Sequence, residues 1–142
     1  INDRVDVALA ADADGVHVGQ SDMPYEMVKR LLPEGKIIGL SVESPEQVLE
    51  ANNYDLDYVA ASPVFSTTTK TNTIVEWGLD GLRWIRSVSR HPLVAIGGIH
   101  SNNVASICKA GADSVAVISA IVSADDPERA ARELLEKSGE PH

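Results

Sequence analysis

Ala60-Ala61-Ser62-Pro63-Val64-Phe65-Ser66-Thr67-Thr68-Thr69-Lys70 joins two kinds of sequence. Tyr58, Val59, Ala60 and Ala61 form a short apolar run that reads as the end of a buried strand. Pro63 brings no N–H to a ladder, so pairing stops there. Three threonines and a lysine follow, with neither helical nor strand periodicity. Hydroxyls and main-chain amides grip anionic oxygens, and an ammonium neutralises them. The stretch therefore reads as a phosphate-binding loop at the carboxyl end of a strand, with a polar surface loop as its plainer alternative.

Outward from this loop the chain alternates short apolar runs with amphipathic ones. Val16–Val18, Ile37–Ser41, Leu56–Ala61, Leu93–Ile96 and Ser114–Ile118 read as strands, and several look apolar on both faces. Their centres recur at roughly 21-residue intervals, except where the polar loop lengthens one unit. Between them lie helical patterns: Pro24–Leu32 with a stripe of Met27, Val28, Leu31 and Leu32, then Ser44 to about Asn52, Leu79 to about Val88, and Asn102 or Asn103 to Ala110. Ser44-Pro45-Glu46-Gln47 resembles a capping box, and Asp126-Pro127 caps a last helix carrying Ala130, Ala131, Leu134 and Leu135. Parallel strands in βα units follow. Five strands and the tail of a sixth, ending at Ile1, fit either an open flavodoxin-like sheet or the later part of an eight-unit barrel.

The composition narrows what such a domain does. Of its 142 residues 44% are hydrophobic and only 4% aromatic, so Ala, Val, Ile and Leu build the core. A net charge of −9 argues against a general nucleic-acid or anionic-membrane surface. The single cysteine, Cys108, rules out an internal disulfide and sits in a helical pattern, where a buried inert thiol is expected. No apolar run reaches spanning length, so the expectation is a soluble, cytoplasmic protein with no membrane partner.

Small and polar residues gather right after the strands. Asn2 and Asp3 follow the tail at Ile1, Asp22 follows the next strand, Ser41 ends the third, and the Thr67–Lys70 loop follows the fourth. Two carboxylates on adjacent strand ends are a sensible way to hold one magnesium ion, which takes few protein ligands and keeps water and phosphate oxygens.

With these pieces in their order, the chain resembles the thiamine-phosphate synthase family. The match runs through Ile1-Asn2-Asp3-Arg4, Gly19-Gln20-Ser21-Asp22-Met23-Pro24, Gly39-Leu40-Ser41-Val42, the Pro63–Lys70 loop, Gly97-Gly98-Ile99 and Gly111–Ile121. The resemblance implies a (β/α)8 TIM barrel, of which residues 1–142 cover the end of the third strand to the last helix, as one partial-barrel domain. It implies a transferase that joins a hydroxymethylpyrimidine diphosphate to a hydroxyethylthiazole phosphate, giving thiamine phosphate and pyrophosphate. By the same resemblance Asp3 and Asp22 bind Mg²⁺. Asn2, Ser41 and Lys70 bind the pyrimidine diphosphate, with Ser41 and Lys70 catalytic. Thr67, Thr68, Thr69, Gly98, Ile118 and Ser119 bind the thiazole phosphate.

The chain also departs from the family. The early Gln-x-Arg-x-Lys segment is not in it, and Ser66 stands where the family often has proline. His17, His91, His100 and His142 match no metal spacing and receive no role, and Trp77 and Trp84 read as packing residues. A thiazole tautomerase on the same barrel, or a non-catalytic fragment of a longer protein, are the alternative readings. Asp3, Asp22 and Lys70 favour the synthase, because an isomerase handling one phosphate needs no diphosphate–metal site. The absent strands would leave sheet edges that either a homo-oligomer or a missing N-terminal segment would cover, so residues 1–142 alone are expected to be aggregated, molten or obligately oligomeric, and inactive.

Lys70 gives the loop a direct test. A point charge meeting a leaving diphosphate in a water-poor site matters by on the order of several kcal/mol. Lys70→Ala should depress turnover strongly and leave thermal stability little changed. Normal turnover in the folded fraction of an otherwise unfolding variant would make Lys70 a structural residue.

Overall fold

The computed structural model describes residues 1–66 and 75–139; Thr67, Thr68, Thr69 and Lys70 lie outside these described residues. The chain runs α1 (Val5–Ala10), β1 (Gly15–Val18), α2 (Tyr25–Leu31), β2 (Ile37–Val42), α3 (Pro45–Ala51), β3 (Tyr58–Ala61), α4 (Gly78–Val88), β4 (Leu93–Ile96), α5 (Val104–Lys109), β5 (Ser114–Ala116), α6 (Ser119–Val122) and α7 (Pro127–Ser138). The strands form one five-stranded sheet in the order β1-β2-β3-β4-β5, and every neighbouring pair is parallel. Asn2 extends it by an isolated parallel bridge to His17. A doubly wound sheet reverses direction at a switch point. This one never does, which removes the flavodoxin-like alternative.

Crossovers of one hand between strands laid down in chain order put every helix on the same side of the sheet. The burial follows. Val16, Val18, Ile38, Leu40, Val42, Val59, Ala61, Leu93 and Ala95 are buried beneath the helices with Val28, Val48, Leu82, Ile85, Val104 and Ile107. The other face carries His17, Ser41, Tyr58, Val94 and Ile96, which line an open concavity. β4 is apolar on both faces, as expected, whereas β1 alternates between half-buried and buried positions and turns His17 to the concavity.

Local sequence sets the helix ends as expected. The Ser44 side chain accepts from the Gln47 amide at 3.3 Å, and Gln47 Oε1 accepts in return from the Glu43 amide at 2.7 Å. Asp126 caps α7 by accepting from the Arg129 amide at 3.0 Å. Three details differ from the sequence reading. Met27 and Leu31 are each 47% exposed, because the seven-residue α2 centres its buried stripe on Val28 and leaves this i, i+4 pair on its flank. Leu135 is exposed beside the buried Leu134. The last strand stops at Ala116, and Ile118 lies beyond it, 67% exposed, at the entry to the short helix α6.

One device repeats at the amino ends of the strands. Asp57 donates its amide to the Ile38 carbonyl at 2.9 Å and accepts the Ile38 amide on Oδ2 at 2.8 Å. Asp113 makes the same pair of bonds with Leu93, each at 2.8 Å, and its Oδ2 also accepts from Arg86 Nη1 at 2.9 Å. Each aspartate clamps the start of the preceding strand and fixes register at the edge away from the concavity's mouth. Replacing either with alanine leaves a strand-end amide without its acceptor, at a cost of about 1–3 kcal/mol. Asp57→Ala and Asp113→Ala in the intact protein should each lower the urea midpoint accordingly and leave ligand affinity unchanged. A loss of affinity at constant stability would show that these clamps act on the site.

Candidate active site

A cavity of about 960 Å³ opens on the inner face and the carboxyl ends of the strands. Asn2, Asp3, Asp22, Ser41, Gly98, Ile118 and Ser119 all line it. Seven positions spread from one end of the chain to the other thus border the same cavity. Thr67–Lys70 fall outside the described residues. The segment leading to them, Ser62, Pro63 and Ser66, borders it too.

Asp3 sits on a left-handed backbone with φ of 66°, an uncommon state for a residue other than glycine. Its amide donates to the His17 carbonyl at 2.8 Å and the His17 amide donates to the Ile1 carbonyl at 2.9 Å, so β1 dictates the turn. Asp22 accepts the Gly19 amide on Oδ2 at 2.7 Å, which orients the carboxylate, and its own amide donates to the Gly19 carbonyl at 3.2 Å. Gln20 Nε2 donates to the Ser41 carbonyl at 2.8 Å and ties the loop after β1 to the end of β2. Among the described residues no three His, Cys, Asp or Glu side chains cluster closely enough to hold a metal.

The glycine pair after β4 answers a packing demand. Gly97 and Gly98 have φ of 101° and 65°. A Cβ on Gly97 would come within 2.8 Å of Pro63 Cβ, and one on Gly98 within 2.7 Å of Phe65 Cβ. Val64 donates its amide to the Ile96 carbonyl at 2.8 Å and Phe65 to the Gly97 carbonyl at 3.2 Å. The start of the loop after β3 is thereby stitched to the end of β4, and only glycine admits it at that distance. On the other side Trp77 donates its amide to the Pro63 carbonyl at 3.0 Å and its indole N–H to the Val42 carbonyl at 3.1 Å. Trp77 is therefore a polar tie across strand ends as well as a packing residue.

Sequence reasoning passed over His17 and Tyr58. His17 Nδ1 lies 2.8 Å from the Tyr58 hydroxyl, and Nε2 lies 2.8 Å from Ser41 Oγ. The rings stack with centroids 5.5 Å apart. Burial raises the Tyr58 phenol above its ordinary range and keeps it protonated. The available signal was register: His17, Gly39 and Tyr58 are partners across three strands, and two of the three are polar. Two other histidines lie among the described residues. His91 is buried on the helix side with Nε2 2.8 Å from the Ala51 carbonyl, while His100 reaches the rim. Burial also pushes the Cys108 thiol up, as an inert thiol requires.

Comparison with known proteins fits this geometry. The family model described as thiamine monophosphate synthase matches residues 1–121. The chain is 50% identical to a thiamine-phosphate synthase from Vibrio campbellii over 95% of its own length and 66% of the relative's. It is 53% identical to one from Albidiferax ferrireducens, over 94% of this chain and 61% of the relative's. Among solved structures, thiamine phosphate pyrophosphorylase from Pyrococcus furiosus superposes with a TM-score of 0.87 at 47% identity, over 96% of this chain and 65% of that one. The chain spans just under two thirds of the length of these relatives. With the family model matched over most of its length, this chain belongs to the thiamine monophosphate synthase family.

Proposed function

We propose that this chain supplies most of the active site of a thiamine-phosphate synthase. The observation that carries the reading is the cavity bordered by Asn2, Asp3, Asp22, Ser41, Gly98, Ile118 and Ser119 at the carboxyl ends of parallel strands. The five strands are the later part of a (β/α)8 barrel whose earlier strands close the concave face, since barrel sites lie at that edge. Its setting is cytoplasmic; among the described residues no helix is long and apolar enough to cross a membrane.

The substrates are an aminopyrimidine carrying a methylene diphosphate and a thiazole carrying an ethyl phosphate. Asn2, Ser41 and Lys70 hold the diphosphate; Thr67–Thr69, Gly98, Ile118 and Ser119 hold the thiazole phosphate. The C–O bond to the diphosphate breaks, the aminopyrimidine stabilises the cationic methylene, and the thiazole nitrogen forms the new C–N bond. No protein nucleophile takes part. Catalysis comes from neutralising the leaving charge and holding the thiazole in line.

Asp3 and Asp22 suit magnesium. Both are hard oxygen donors bordering the same cavity, and Asp22 is oriented by its bond to the Gly19 amide. Two carboxylates leave most positions of an octahedral ion to water and phosphate oxygens, so the ion would be held together with the diphosphate. When bound it supplies charge neutralisation for the departing group.

The test separates the two substrates. Asp22→Asn keeps an acceptor for the Gly19 amide and removes the charge. In the intact protein it should weaken pyrophosphate binding in magnesium by at least about tenfold, equivalent to about 1.4 kcal/mol. Thiazole-phosphate binding should stay nearly constant. An unchanged magnesium dependence of pyrophosphate binding and turnover would remove Asp22 from the metal site. Failure of the wild-type protein to form thiamine phosphate from the two substrates would overturn the functional reading.

A further inference from the structure

The hydrogen-bonded line Tyr58–His17–Ser41 crosses three strands of the inner face, and only its last member has a role in the function proposed above. Its geometry is built. His17, Gly39 and Tyr58 are register partners on β1, β2 and β3. A Cβ on Gly39 would lie 2.1 Å from Tyr58 Cζ, so the missing side chain is what lets the tyrosine ring lie across β2 and reach the imidazole. The two bonds that result are each 2.8 Å long, one to each ring nitrogen. Both bonds are partly buried, and Ser41 is held from the other side by Gln20, which donates to its carbonyl.

We propose that Tyr58 and His17 are positioning residues that give the Ser41 hydroxyl a fixed polarity: Tyr58 donates to Nδ1, Nε2–H donates to Ser41 Oγ, and the serine proton turns into the cavity as a donor. The inference rests on reading Ser41 as a diphosphate-binding residue. Chemistry chooses the direction. A phenol is a stronger donor and a weaker acceptor than an aliphatic hydroxyl, so the proton of the first bond belongs to Tyr58. With Nδ1 accepting, a neutral imidazole carries its proton on Nε2 and donates it onward. Run in reverse, the line would commit the serine proton to His17 and present only lone pairs to an anionic phosphate oxygen. In the proposed direction Ser41 meets that oxygen as a donor. The line also explains why a barrel's inner face holds a glycine between two polar rings where an aliphatic layer would pack more simply.

Long-range ¹⁵N–¹H spectra of the intact, ¹⁵N-histidine-labelled protein read the tautomer directly, with the His17 signals assigned by their loss in His17→Asn. The expected result is a proton on Nε2 and a bare Nδ1 in the wild type, and a mixture of tautomers in Tyr58→Phe, which keeps the ring and removes the hydroxyl. Pyrophosphate binding in magnesium, followed by calorimetry, should weaken about threefold to tenfold in Tyr58→Phe, the loss of one oriented donor, while the melting temperature moves little. A wild-type His17 protonated on Nδ1 alone would overturn the proposed direction. Unchanged pyrophosphate affinity in Tyr58→Phe would overturn the positioning role. If wild-type protein binds no pyrophosphate, the functional reading fails, and the tautomer spectra still decide the direction of the line.

Discussion

Parallel strands that hydrogen-bond in chain order bury only one of their two faces beneath their own crossovers. Everything else in this molecule follows from that constraint. Val16, Ile38, Val59 and Leu93 can be aliphatic because helices cover them. His17, Ser41 and Tyr58 can be polar because the opposite face opens on a cavity. A doubly wound sheet would have placed helices on both sides and left its ligand a crevice at a switch point. Here the cavity is the concave face itself together with the strand ends above it.

The two ends of the strands do different work. At the amino ends Asp57 and Asp113 close two-bond clamps on Ile38 and Leu93, and the chemistry there is that of register and stability. At the carboxyl ends Asp22 closes a similar pair within one loop, its amide donating to the Gly19 carbonyl at 3.2 Å and its Oδ2 accepting the Gly19 amide at 2.7 Å, while Asp3 is carried on a left-handed turn. Asp3 thus holds, at a cavity-lining position, a backbone state uncommon outside glycine. The glycines show the reverse case: Gly97 and Gly98 are demanded by the approach of Pro63 and Phe65, whatever else they bind.

How much of this was legible in the sequence depended on whether a residue's role is local. The Ser44 and Asp126 caps are read from a few neighbouring residues and both stand in the structure, with Gln47 reaching back to the Glu43 amide one residue before the cap. The recurring apolar runs gave the strands, the shared loop edge gave Asn2, Asp3, Asp22 and Ser41, and the family resemblance gave Gly98, Ile118 and Ser119. What escaped depends on register. One-residue parity decides the face, so Leu40 and Val59 belong to the helix-side core while Val94 and Ile96 line the cavity. His17 and Tyr58 escaped for the same reason: a polar residue in alternation reads as solvent-facing until its partners on the next strands are known. Helix α6, four residues long, is too short to carry a period. Thr67–Lys70, where the reading began, lie outside the described residues.

The central claim is that the concave face is one wall of a closed barrel and that Ile1–Asp3 and Ser114–Ala116 pair with further strands. Amide hydrogen exchange of the intact protein tests it at those two edges. The account predicts slow exchange at Asn2 and at Ser114–Ala116, comparable to the interior strands β2 and β3, since a closed sheet leaves no free edge. Rapid exchange at both edges, with β2 and β3 still protected, would describe an open sheet and contradict the account.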